Sequence, residues 1–271
     1  MFQGHYGPAG LLFFIRNHSI PLSWLILSTQ WIDVVFYTSA ILCEKLFDSQ
    51  IDSCPYKPWI CGEYATYNVD LMRKGRVTPM DFSIDYTHSI LGVFILSLVY
   101  SMIYWIYSKV SGKKKVDSLG KIVFIMFLGA FSHWILDFLV HRKDLLAFFP
   151  ISNWKGGLGW WDYPNEYVFC LETFLVLLGC VGILIGKAKR GQKLTSARFL
   201  LSFGLYLSIS VILTYVAVFD DAKKHQENVD KVVHGSIVKN GPDLLVLFTY
   251  FVSATLGYFM EEQQQIVQKK D

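Results

Sequence analysis

The chain has 271 residues, of which 53% are hydrophobic, 16% aromatic and only 17% charged, with a formal net charge of +3. These proportions exclude a disordered chain, a collagen and a small cysteine-stapled scaffold. A soluble globular domain fits poorly, since such domains are about 25% charged.

What remains is an all-α polytopic transmembrane bundle, read as a single integral membrane domain over residues 1–271. Pro8–Ile15 is a compact apolar run, and Pro sits naturally in the first turn of a helix. Arg16–Pro21 reads as a turn. The expected form is a helical hairpin: a short arm from about His5 to Asn17 that only partly enters the membrane, then a full span over Ile20–Cys43, with Gln30 and Asp33 inside it. Met1–Gly10 lacks the basic start and small-residue cleavage site of a signal peptide. Further spans are expected over Tyr86–Ser108, Leu119–Val140, Tyr167–Gly186, Phe199–Phe219 and Leu244–Met260. The last is short against the ~20 residues that a crossing needs. The expectation is therefore six full spans plus a short N-terminal helical arm.

Lysine and arginine in short loops set the orientation. Lys109, Lys113, Lys114, Lys115 and Lys121 face Asp117 alone, and Lys187, Lys189, Arg190, Lys193 and Arg198 face no acid. Both stretches are placed in the cytoplasm. Residues 43–84, 141–165 and 220–243 then fall outside, and the C-terminus inside. Cys43, Cys170 and Cys180 read as inert packing beside apolar spans, while Cys54 and Cys61 could pair as an extracytoplasmic disulfide.

Ionisable residues within lipid depth are costly and usually mark function. Here they are concentrated: Asp33 in the first span, Asp85 and His88 opening the next, His133, Asp137 and His141 on the third, Glu172 on the fourth. His133, Asp137 and His141 follow at i,i+4 and share one helix face. An imidazole and a carboxylate one turn apart can share a divalent metal, or form a pair in which the carboxylate orients the ring. At a rise of about 1.5 Å per residue, all these groups reach the outer half of the bilayer. The hairpin returns His5 to about the level of Asp33, whereas His18 falls at the turn on the opposite side. Nitrogen and oxygen donors without thiolate suit zinc, and tolerate manganese or iron. One or two ions are both compatible with the ligand number. Arg142 and Lys143 follow directly, suited either to a substrate phosphate or to headgroup anchoring. The aromatic, glycine-rich 141–165 stretch reads as a membrane-hugging loop or a lipid entry rim.

The pieces GHYGPAG (4–10), STQWID (28–33), DFSIDYTHSILG (81–92), SHWILDFLVHRKDLLAFFP (132–150) and GLGWWDYP (157–164) resemble a bacterial family of multi-pass membrane proteins described as metal-dependent hydrolases, related to the inner-membrane LexA-binding hydrolases. The order and spacing match over about residues 3–185, the core expected to hold the metal site, with residues 198–260 adding two supporting helices. The resemblance implies that His5, Asp33, His88, His133 and Asp137 form one polar constellation, and it implies the bacterial inner membrane. Where the family commonly has Pro before the first-span Asp, this chain has Trp31–Ile32–Asp33, which is expected to lose a helix kink and keep the carboxylate.

The resulting expectation is a metal-dependent hydrolase of a lipid-linked ester or phosphoester, with Asp137, Asp85 or Glu172 moving protons. The expected partner is a membrane lipid or lipid-linked substrate, and no nucleic acid. The alternatives are a proton- or cation-coupled transporter and a noncatalytic membrane protein with a structural metal. Neither an inverted repeat nor paired broken helices of the usual transporter kind is visible.

Overall fold

A computed structural model describes residues 3–15, 18–46, 62–112, 116–229 and 244–261, with the side chains of 44–46 and 244–245 excepted. The architecture is an all-α membrane bundle. A 3-10 turn, Gly4–Tyr6, leads into α1 (Gly7–Phe14), followed by α2 (Leu22–Ser28) and α3 (Trp31–Leu46). β1 (Tyr64–Tyr67), α4 (Val69–Arg73) and β2 (Met80–Ser83) form a small extramembrane unit, with Tyr64 opposite Ser83 in an antiparallel register. Two long helices follow, α5 (Ile90–Val110) and α6 (Leu119–Val140), and then a loop with a two-residue pairing of β3 (Leu145–Leu146) and β4 (Lys155–Gly156). α7 (Asn165–Lys189), α8 (Ala197–Tyr215), α9 (Asp221–Glu227) and α10 (Leu244–Glu261) complete the described elements. Local chemistry sets several starts: the Ser89 and Ser196 hydroxyls accept the Gly92 and Phe199 N–H groups, and Pro21 and Pro164 immediately precede α2 and α7.

Four of these helices are long and apolar enough to cross a membrane: α5, α6, α7 and the continuous Ala197–Glu227 helix, which passes through a π turn at Val216–Asp220. α2 and α3 form a fifth crossing if the bent pair counts as one, and Val246–Glu261 is a shorter apolar helix. The structure thus supports four or five long spans where the sequence suggested six. The difference lies in the first span, which is broken, and in the last, which is short. The small strands were not anticipated either, because two- to four-residue ladders carry little hydrophobic periodicity.

The expected absence of a kink near Asp33 is corrected. α2 and α3 meet at 60°, with the break at Thr29–Gln30 and no proline in it. The Thr29 hydroxyl bonds the Ile26 carbonyl at 2.8 Å, and the Gln30 N–H bonds that of Leu27 at 3.1 Å. A helix inside a bilayer tolerates such a break only where the freed main-chain groups find partners.

The two ends of the bundle are tied by different contacts. At the lysine-rich end, Asp117 accepts from the Ser19 N–H and hydroxyl, Arg190 caps the Phe13 and Ile15 carbonyls, and Glu261 accepts from the Leu22 N–H. At the other end, Arg76 reaches the Tyr163 carbonyl, Asn165 that of Gly75, and Gln226 that of Arg73. The core between them includes Tyr6, Phe13, Leu25, Ile26, Tyr100, Met126 and Ile183. Cys43 is disulfide-bonded, which corrects its reading as inert packing, while Cys170 and Cys180 are free. The expected Cys54–Cys61 bridge lies outside the described residues.

Candidate metal centre

His133 and Asp137 sit one turn apart on α6, each buried. The α2–α3 break presents the Thr29 carbonyl to α6, and it accepts from His133 Nδ1 at 2.6 Å. A carbonyl can only accept, so Nδ1 carries a proton and, in the neutral ring, Nε2 carries the lone pair. His88, just before α5, is set by a longer chain. The Glu63 carboxylate accepts the Tyr86 and Thr87 N–H groups at 2.7 Å each and the Thr87 hydroxyl at 2.8 Å. Having given its proton to Glu63, Thr87 Oγ1 accepts from His88 Nδ1 at 2.7 Å. The other His88 nitrogen, Nε2, is in hydrogen-bond contact with Asp33 Oδ1 at 3.2 Å. Such outer partners fix tautomer and ring direction in metal-ligating histidines.

Both carboxylates meet these nitrogens. Tyr250 of α10 donates to Asp33 Oδ2 at 2.7 Å, while Oδ1 lies 3.2 Å from His88 Nε2 and 3.5 Å from His133 Nε2. Asp137 Oδ2 lies 3.0 Å from His133 Nε2 and 3.4 Å from His88 Nε2, and Oδ1 lies 3.3 Å from His5 Nε2. His5 arrives on the 3-10 turn ahead of α1 and stacks on His133, with ring centroids 3.7 Å apart and planes within 3°. Its turn is held by Glu172 of α7, which accepts the Gly4 N–H at 2.7 Å. Two groups of three, His5–Asp33–His133 and His88–His133–Asp137, have donor atoms that all lie within 4.8 Å of one another.

The donor set fits a divalent cation. The His133 Nε2 atom and both His5 nitrogens are buried and make no hydrogen bond. A lone pair at 3.0 Å from a carboxylate oxygen is repulsive unless a proton or a cation lies between them. Nitrogen and oxygen ligands placed about 2.1 Å from one ion stand roughly 3.0–3.5 Å apart along a coordination edge. The five imidazole–carboxylate separations run from 3.0 to 3.5 Å.

The remaining expected residues lie elsewhere. Asp85 faces Lys155 at 3.8 Å in the loop region. Glu172 is buried against the arm, as described. Arg142 is committed to Asp162 at 2.9 Å and to the Thr78 and Met80 carbonyls, whereas Lys143 is exposed. His141 Nε2 stands 3.9 Å from Asp137 Oδ1, and its Nδ1 is 3.1 Å from Asp144. Burial alone would raise the Asp144 carboxyl, but the bonds from His141 and from the Phe82 N–H outweigh it and hold the carboxyl below its usual range. His18 lies away from the cluster, as its place at the turn implied. It bonds the Leu12 carbonyl at 2.9 Å and accepts from the Ile20 N–H, and burial lowers its pKa.

Four partners escaped the sequence reading: Thr29, Glu63, Thr87 and Tyr250. The only signal was the adjacency of Thr87 to His88, and a hydroxyl beside a histidine is commonplace. No curated protein and no solved structure matches the chain. Residues 84–217, which carry His88, His133 and Asp137, match the model of the family described as YdjM inner membrane protein, so the resemblance carried by the sequence motifs is to that family.

Proposed function

We propose that the protein is a metal-dependent hydrolase of the inner membrane acting on a lipid-linked ester or phosphoester. The observation that carries this reading is the gathering of three buried imidazoles and the buried Asp137 carboxylate with the half-buried Asp33 carboxylate, in two groups that share His133. His5, Asp33, His88, His133 and Asp137 would hold the cation, with zinc the best match to the donor types. Bound there, it supplies Lewis acidity, polarising a carbonyl or phosphoryl oxygen and acidifying water.

The chain's own groups supply the rest. Thr29, Thr87 and Tyr250 hold the ligands at fixed angles. Asp137 is the carboxylate assigned to proton movement, because His141 stands beside it and is oriented by Asp144. Glu172 is assigned to holding the His5 turn, and Asp85 to the rim through Lys155. Lys143 is better placed than Arg142 to meet a phosphate, since Arg142 already serves Asp162 and two carbonyls. A lipid substrate is supported by an open apolar groove of 330 Å³ whose walls include Ile90, Phe94, Phe127, Phe148 and Ile151.

The proposed topology is six crossings plus the arm, with the lysine loops and α10's C-terminal end in the cytoplasm. It is supported by the shared end of Ser19, Asp117, Arg190 and Glu261. A Ser111→Cys protein should react with a membrane-impermeant thiol reagent only after permeabilisation; labelling in intact cells would reverse the orientation.

The catalytic reading is tested by incubating the purified protein in vesicles with divalent metal and a broad lipid extract, with Asp137→Asn in parallel. Mass spectrometry should show new hydrolysis products in the wild type alone. Proton or cation flux with no product from any lipid class would favour a transporter.

A further inference from the structure

The metal reading leaves open how many ions the cluster takes. Resting on that reading, we propose that the site holds a single divalent cation, with His133 as the ligand that decides the count. Both three-residue groups include His133. Its Nδ1 is spent on the Thr29 carbonyl, so only Nε2 can ligate. A neutral imidazole nitrogen has one lone pair and binds one cation. The two groups therefore cannot both be filled with all three of their residues. If they were filled separately, one ion would keep only two of its three residues.

Charge balance gives the same answer independently. Asp33 and Asp137 bring two negative charges, and three histidines held as neutral ligands bring none. One divalent cation neutralises this set. A second would leave about two uncompensated positive charges inside an apolar bundle, a costly state. The neighbouring acids have other work: Asp144 faces His141, and Glu172 holds the Gly4 N–H. Asp33 Oδ1 and Asp137 Oδ2 also share the same two imidazoles, each approaching both His88 and His133 within 3.5 Å. Paired metal sites separate their ions by about 3.5–4 Å, which would need donors spread over two centres.

The test is metal content, not turnover. Full-length protein in detergent is loaded with zinc, dialysed, and assayed for zinc per chain by mass spectrometry alongside His133→Ala. The expected result is one ion per chain in the wild type and its loss in the variant. In parallel, the wild type is loaded with cobalt and examined by electron paramagnetic resonance, so that the count does not depend on the folding of the variant. Uncoupled high-spin cobalt at one per chain supports the proposal. Two ions per chain with spin-coupled cobalt would overturn the single-ion inference and leave the metal reading standing. No retained zinc or cobalt in the wild type would overturn the metal reading itself, and the inference with it.

Discussion

Asp137→Asn is expected to abolish metal retention while leaving the fold intact. The amide keeps the size of the carboxylate, so packing on α6 is preserved. The negative charge is lost, however, from a group whose two oxygens face His5, His88 and His133 at 3.0–3.4 Å. Altering an outer partner of a metal ligand typically costs about 10–100-fold in affinity. Removing a ligand's charge here should cost more than about 100-fold by that scale. Tyr250→Phe makes a graded companion. It deletes one hydrogen bond to Asp33 Oδ2 but keeps both carboxylates, so its loss should fall within roughly 10–100-fold. Competition against a calibrated chelator would measure both. Metal-dependent thermal stabilisation gives a second readout, since a ligand at 100 times its Kd stabilises by about 2.7 kcal/mol. Wild-type affinity in Asp137→Asn would show that the cluster is not the metal centre.

The parts of this arrangement that were legible in the sequence share one physical reason. Charged or titratable groups are expensive in a bilayer, so Asp33, His88, His133 and Asp137 stand out against apolar runs, and i,i+4 spacing puts His133 and Asp137 on one face. His5 entered mainly through the family resemblance, together with the hairpin, which brings the start of the arm back to the depth of Asp33. Tyr250 did not stand out, because a tyrosine in an uncharged helix is indistinguishable from an interfacial aromatic until its hydroxyl is seen on Asp33. That bond also extends the site network beyond residues 3–185 into the last helix. Thr29 contributes a main-chain carbonyl, which no residue type encodes. The 60° bend arises at Thr29–Gln30 without proline, so the residue usually used to recognise a kink was absent. Asp85 and Arg142 show the converse: conspicuous residues at the right depth whose contacts are made with Lys155 and Asp162.

The seam that delivers His5 can be tested apart from its ligands. α1 crosses α7 where Gly7 and Gly10 meet Gly179 and Gly182, a close approach that small residues allow between membrane helices. A Cβ at Gly179 would lie 2.6 Å from the Gly7 Cα and 2.7 Å from its carbonyl oxygen, and one at Gly182 would lie 2.5 Å from the Gly10 oxygen. These are main-chain atoms and cannot rotate away. Gly179→Leu should therefore push α1 outward, costing about 1–3 kcal/mol or more as overpacking. His5 is on the turn that opens α1, so the same displacement should pull its Nε2 from Asp137 and weaken metal binding by at least about 10-fold, the lower end of an outer-shell loss. Gly204→Leu on α8 is the matched control, because nothing lies within 4 Å of a Cβ there; it should change neither melting temperature nor metal affinity. If Gly179→Leu lowers the melting temperature yet binds metal as the wild type does, His5 is not a ligand and the centre is built from Asp33, His88, His133 and Asp137 alone. If both properties fall together and His5→Ala reproduces only the loss of affinity, the arm carries one ligand of the centre, and its packing against α7 is what keeps that ligand in place.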